Sequence, residues 1–257
     1  LKIFEYVYKK FDYVPLYGSR NGAMATLLAM RGNDFDLSAL LIALLKAADS
    51  SSDAHYVVGT AYYPYSFWTN FLGVSQSQVS TFIGTYCRIP TSTSGSLFGV
   101  THAWVETTIN GTNYVLDPAF KMYRNIEGIN LESAMGFNRT QFVARALSGA
   151  TEGSYSLQNA NNGNTTNDLV TMATNLISYI RQNYPNAELK DVLGGREIVE
   201  TNFTALPQTL PYASSTASET DYTTLPTNYL STVKIQYVGL NKTFYSYEIA
   251  GKRVTLF

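Results

Sequence analysis

Two stretches of this chain hold the residue types that proton-transfer chemistry needs. Gly32-Asn33-Asp34-Phe35-Asp36 sets two carboxylates at the entry to an apolar run, and His102-Ala103-Trp104-Val105-Glu106 is followed by Leu116-Asp117-Pro118. An imidazole beside a carboxylate can accept and return a proton while the carboxylate orients the ring and stabilises its charged form. Asn110-Gly111 lies between two apolar alternating runs, 100–109 and 112–116. It predicts a tight hairpin, because both central residues of a type I′ turn take positive φ. That hairpin brings His102 and Asp117 toward one end of adjacent strands. Strand alternation puts Trp104 on the same sheet face as His102. Asp36 directly precedes the apolar run and reads as a helix N-cap rather than a catalyst. His55 has no partner at a recognisable spacing and reads as edge decoration.

The elements that must position these residues follow from periodicity. Apolar residues at Ile3, Phe4, Val7 and Tyr8 predict an amphipathic helix over 1–10, and a second short helix is expected over 23–30. The run 37–48 is apolar nearly all round and is expected as a buried helix. A strand is predicted over 55–62, and a helix over 75–86 with Ser75 as N-cap and Gln78 at the third helical position. Within Tyr62-Tyr63-Pro64-Tyr65-Ser66-Phe67-Trp68, Tyr63, Tyr65 and Trp68 are candidates for an aromatic binding surface, with a rigid packed loop as the other reading. From 148 to 168 the chain turns to Gly, Ser, Asn and Thr and reads as a linker or loop. Asp168 is then expected to cap a helix stopped by Pro185. Alternating runs at 232–237, 243–249 and 252–257 read as antiparallel sheet.

Composition bounds the partners. Charged residues make up 14% of the 257 residues and the net charge is -1. Nothing basic enough exists to follow nucleic-acid phosphates or an anionic membrane, and no apolar run is long enough to span a bilayer. A surface made polar by hydroxyls and amides points to an extracellular or cell-envelope location. One cysteine, Cys87, rules out an internal disulfide. Five Asn-x-Thr sequons, at Asn110, Asn138, Asn164, Asn202 and Asn241, are close to the number that chance supplies. The chain opens in mid-helix pattern without Met, so it is expected to be excised from a longer polypeptide.

The two site stretches together resemble the transglutaminase-like superfamily. In that family a Cys opens a buried helix, a His begins one strand and an Asp ends the next. Ala43-Leu44-Leu45-Lys46-Ala47 is similar to the family's Ala-Leu-Leu-Arg-Ala, and counting back from it places Asp34 where the nucleophilic Cys is expected. Trp104 and Glu106 match the family's His-x-Trp-x-Glu. Tyr17 to Ala23, Arg88-Ile89-Pro90-Thr91, Asp117 to Lys121, Asp191 to Arg196 and Ala250 to Thr255 are similar to a subgroup found in large bacterial surface proteins, often upstream of RHS-type tyrosine-aspartate repeats. Asp49 to His55 departs from the family's Gly-Ile-Pro-Ala-Arg. Cys87 falls where the resemblance implies a helix end and reads as a small core residue there.

The resemblance implies that Asp34, His102 and Asp117 form a degenerate triad. A carboxylate keeps the negative charge that a helix N-terminus favours, but it is a poor nucleophile toward amides. Three uses of such a cluster stay open. It is a structural charge cluster, a hydrolytic site in which Asp34 or Asp36 activates water and His102 donates a proton, or a divalent-cation site. The reading adopted is an α+β, transglutaminase-like (papain-like) core over 1–147, with a buried helix packed on antiparallel sheet. A polar linker or loop over 148–168 and a β-rich module over 169–257 follow. The function expected is a non-catalytic extracellular module for scaffolding, binding or self-assembly. Its partners are other regions of a larger chain or further copies, with no cofactor and no resident metal. The alternative is a hydrolase acting on an amide, ester or glycan.

Overall fold

Asn33 starts the central helix. Its extended backbone lets the side chain accept a hydrogen bond from the Asp36 amide at 2.9 Å, which satisfies one of the unpaired donors of a first helical turn. In this computed structural model, which describes residues 1–253 and 255, the helix therefore begins three residues before the expected start, and Asn33 rather than Asp36 is the cap.

The chain divides into two compact units. The first comprises Leu1–Tyr123 and the segment from Ile198 onward. Its first helices are α1 (Lys2–Lys10) and α2 (Gly22–Ala29). A short parallel pair, β1 (Asp12–Tyr13) with β2 (Arg31–Gly32), leads into α3 (Asp34–Ala48). Leu37, Leu40 and Leu41 of α3 are buried, as an all-round apolar helix requires. β3 (His55–Pro64) runs directly into α4 (Tyr65–Leu72). α5 (Gln76–Thr81) continues into a π-helical turn, Phe82–Tyr86. Ser75 precedes α5, with its amide donating to Gln78 Oε1 at 3.2 Å. Three strands follow, β4 (Thr91–Ser94), β5 (Leu97–Ile109) and β6 (Thr112–Leu116). Asn110 and Gly111 take φ of 52 and 78 in the β5–β6 turn, as the hairpin signal predicts.

The second unit, Arg124–Glu197, starts inside β7 (Tyr123–Ile126) and holds α6 (Leu131–Met135), α7 (Arg139–Ala146) and the hairpin β8 (Thr151–Gly153) with β9 (Ser156–Gln158). The helices α8 (Asn162–Asn183) and α9 (Leu189–Leu193) and the strand β10 (Gly195–Ile198), which pairs with β7, complete it. The stretch 148–168 is thus a hairpin and a helix start, not a linker. Asn161 caps α8 by accepting from the Asn164 amide at 2.9 Å, so Asp168 lies inside the helix, where it pairs with Arg145 at 2.9 Å. Polar composition does not exclude structure where asparagines close the starts of α6, α7 and α8.

Beyond Ile198 the chain returns to the first unit instead of forming a module of its own. β11 (Ala213–Ser214) and β12 (Thr220–Tyr222) pair antiparallel with β3, completing a six-stranded sheet whose main path is β11-β3-β5-β4. β13 (Thr232–Tyr237) and β14 (Leu240–Tyr245) form a separate hairpin, and α10 (Ser246–Ile249) follows where strand was expected. Of the strand expected over 252–257, residues 254, 256 and 257 lie outside the described residues, and 252, 253 and 255 are in no strand.

Candidate functional site

His102 sits on β5 opposite Gly59 of β3, fully buried, with its ring stacked on Phe120 at 3.8 Å between centroids. Its two nitrogens face two carboxylates. Nε2 lies 3.1 Å from Asp117 Oδ2 and Nδ1 lies 3.1 Å from Asp34 Oδ2. The contacts differ in kind. The Asp117 contact is a hydrogen bond, whereas the Asp34 contact is a charge pairing whose angle falls short of one, which leaves Nδ1 without an aligned acceptor. The hairpin signal already brought His102 and Asp117 toward one end of adjacent strands, and α3 brings Asp34 to the other side of the ring.

Each carboxylate is held by amides. Asp34 is the first residue of α3, where the unpaired amides and the macrodipole favour negative charge, and its Oδ2 also accepts from the Ala103 amide of β5 at 2.9 Å. Asp117, just past β6, uses Oδ1 to accept from the Ala119 amide at 2.8 Å and the Phe120 amide at 3.3 Å. Its Oδ2 accepts from the Tyr212 hydroxyl at 2.9 Å. Burial, the largest single influence on His102, disfavours the imidazolium, but Asp117 and Asp34 together outweigh it and raise the pKa to about 9. At neutral pH the ring is held as a cation between the two carboxylates, with both nitrogens protonated and Nε2 donating to Asp117. Asp34, His102 and Asp117 are 3%, 0% and 6% exposed, so the cluster is closed to bulk solvent. Its two carboxylates flank opposite ring nitrogens and do not converge on one point. Among the described residues, no group of three His, Cys, Asp or Glu is arranged to hold a metal ion.

Asp36 does not join the cluster. Its Oδ1 accepts from the amides of Arg20, Asn21 and Gly22 at 2.9, 3.0 and 3.1 Å and from the Ser19 hydroxyl at 3.2 Å, fixing the turn that opens α2. Burial raises its pKa against the pull of these amides.

Trp104 is fully buried with its indole nitrogen unpartnered, and it packs so closely on β3 that a Cβ at Gly59 would come within 2.7 Å of Cη2. The three aromatic candidates also pack inward rather than forming an open binding surface. Trp68 is 2% exposed and donates Nε1 to the Phe98 carbonyl at 3.0 Å, Tyr63 stacks on Phe67 at 3.7 Å, and Tyr65 lies against Phe98. A helix start at Tyr65 turns this stretch into the core. Cys87 is buried at the end of the π-helical turn, and burial raises its thiol pKa. His55 sits partly buried at the start of β3, apart from the cluster, with Nδ1 against the Asp53 carbonyl.

Three residues of the site's surroundings escaped the sequence. Tyr212 arrives from an irregular segment 95 residues beyond Asp117, with no local pattern to announce it. Phe120 and Lys121 lie in the Asp117 motif, which hinted at importance without a role. Lys121 is 1% exposed and donates Nζ to the carbonyls of Tyr8 and Phe11 at 2.8 and 2.6 Å, at the C-terminal end of α1, where the dipole favours a cation. Burial nevertheless lowers its pKa to about 7.

Residues 1–118 match the family model of the transglutaminase-like superfamily, a little under half of the chain. The antiparallel sheet, the helix entering at Asp34 and this match make the architecture an α+β transglutaminase-like fold. No curated protein and no solved structure matches.

Proposed function

We propose that this chain is a non-catalytic module of an extracellular or cell-surface protein, in which a transglutaminase-like cleft has become a buried ion cluster and the fold serves scaffolding, binding or self-assembly. The observation that carries the reading is the double engagement of both carboxylates. Asp34 Oδ2 is shared by the Ala103 amide and His102, and Asp117 Oδ2 by His102 and Tyr212. A nucleophile or base must meet its substrate at about 3 Å, and these groups are both occupied and closed in. Where a thiolate would attack, a carboxylate also forms at best an anhydride that reverts or hydrolyses.

The extracellular placement rests on the low charge content and the hydroxyl- and amide-rich composition. The similarity of several segments to large surface proteins that carry RHS-type repeats supports a place within a longer chain.

The test is ammonia release and amine incorporation on glutamine and asparagine peptides, with the unaltered chain beside Asp34→Cys. The unaltered chain is expected to show no turnover. Turnover that is lost in a folded His102→Ala protein would instead establish the hydrolase reading and overturn this one.

A further inference from the structure

The second unit leaves one face of its longest helix uncovered. α6 and α7 pack on one side of α8, where Asn175 donates to the Met135 carbonyl at 3.0 Å and Asp168 pairs with Arg145. On another side run Val170, Ala173, Ile177 and Ile180, spaced three, four and three residues apart, which is the spacing of a helix-pairing seam. Val170 is 60% exposed and Ile177 50%, Ala173 is exposed, and Ile180 is half-buried. β-branched residues at such positions are stiff and fill a facing helix groove well.

We infer that this seam binds a second copy of the same chain, helix to helix and antiparallel about a two-fold axis near Asn175. This gives the assembly role proposed above a surface and a partner, and it holds whether or not the buried cluster is inert. Side-chain volume chooses the orientation. Antiparallel pairing sets Ala173 against Ile177 of the second copy and Val170 against Ile180, so the one small residue of the seam always meets a large one. A parallel pair would set Ala173 on Ala173 and leave a gap that loses contact energy. Charge permits self-pairing, because Arg181 is the only charged residue flanking the seam. In the antiparallel register it faces Asn167 of the second copy, so no like charges meet. Antiparallel helices also oppose their dipoles favourably. The contact is small. Four such side chains and their flanks bury on the order of 400 Å² per copy, against roughly 800 Å² per partner in a standard interface, so a weak association is expected.

Sedimentation equilibrium of the whole chain, from about 1 μM to about 1 mM, is the first measurement. A monomer–dimer equilibrium is expected, weakened at least about 30-fold by Ile177→Glu and unchanged by Leu189→Glu, which removes an exposed leucine outside the seam. Thr174 is exposed, and in the antiparallel pair alone it faces itself across the axis. Mild oxidation of Thr174→Cys should therefore give a covalent dimer, whereas the unaltered chain, whose Cys87 is buried, stays uncrosslinked. This arm keeps its force even if Ile177→Glu fails to fold. A strictly monomeric unaltered chain, a dimer indifferent to a folded Ile177→Glu, or no crosslink in the oxidised Thr174→Cys protein would each overturn the proposal.

Discussion

The two units of this protein are stabilised in opposite ways. The first buries Phe4, Phe11, Phe35, Trp68 and Trp104 to 2% exposure or less, together with the charged groups Asp34, Asp36, His102 and Lys121. In the second, Ala134 is the one buried hydrophobic residue among the described residues. Its order comes from local devices. Asn130, Asn138 and Asn161 each accept an amide at a helix start, at 3.0, 3.0 and 2.9 Å, and the exposed ion pairs Arg145–Asp168, Lys190–Glu197 and Arg124–Glu197 add little. The contrast teaches where polar chemistry is expensive. A buried charge in the first unit has to be met on every side, while the paired charges of the second are met largely by water.

The sharpest break of that contrast is His102→Ala, which leaves two buried carboxylates without the cation between them. It should cost about 3–5 kcal/mol in urea unfolding followed by tryptophan fluorescence, since both tryptophans lie in the first unit. A loss below about 1 kcal/mol would mean that water replaces the imidazole and that the cluster is not a structural element.

Next in size is Gly59→Ala. The added methyl would meet Trp104 Cη2 at 2.7 Å and Glu219 Cγ at 3.0 Å. Glu219 can swing away but the buried indole cannot, so about 1–3 kcal/mol of overpacking is expected in thermal unfolding. An unchanged midpoint would show that Trp104 is free to move.

The pH response of the unaltered chain is smaller, because it sets two buried cations against each other. His102, raised from 6.5 to about 9, contributes stability that is fully present below pH 6.5 and is lost as pH rises through about 9. Lys121, lowered from 10.5 to about 7, acts in the opposite direction. Its neutral form is favoured by folding, so stability is gained as pH rises from about 7 to 10.5. Between about 7 and 9 the two trends oppose each other in the unaltered chain. In Lys121→Met only the His102 trend remains, and urea midpoints should fall steadily over that window. A flat Lys121→Met profile would deny His102 its cationic state.

The smallest effect belongs to the second unit. Leu189→Ser, at a site 73% exposed, should shift the unfolding midpoint by less than about 0.5 kcal/mol in free energy. Amides of α6, α7 and α8 should also exchange with solvent faster than those of β3 and β5. Slower exchange in α8 than in β5 would reverse the ranking of the two units.

Much of the first unit was legible residue by residue. The all-round apolar run announced α3, Asn110-Gly111 announced the β5–β6 turn, and the same turn aligned His102 with Asp117. The second unit was misread because its stability lies in asparagine caps, and a stretch such as 159–167 has the same composition whether it links or caps. At 62–68 the sequence allows both an aromatic binding surface and a packed segment, because composition does not say which way a helix turns its rings.

Local pattern determined α3, the β5–β6 hairpin and the approach of His102 to Asp117, because turn chemistry and periodicity act within a few residues of chain, while the resemblance to the family that residues 1–118 match marked Asp34. Tertiary structure alone decided what those positions became. Tyr212 closes on Asp117 from 95 residues away, Lys121 is drawn to the end of α1, and β11 and β12 return to cover the edge of β3. These are long-range pairings whose energy depends on desolvation and on geometry, and neither is written in the order of neighbouring residues.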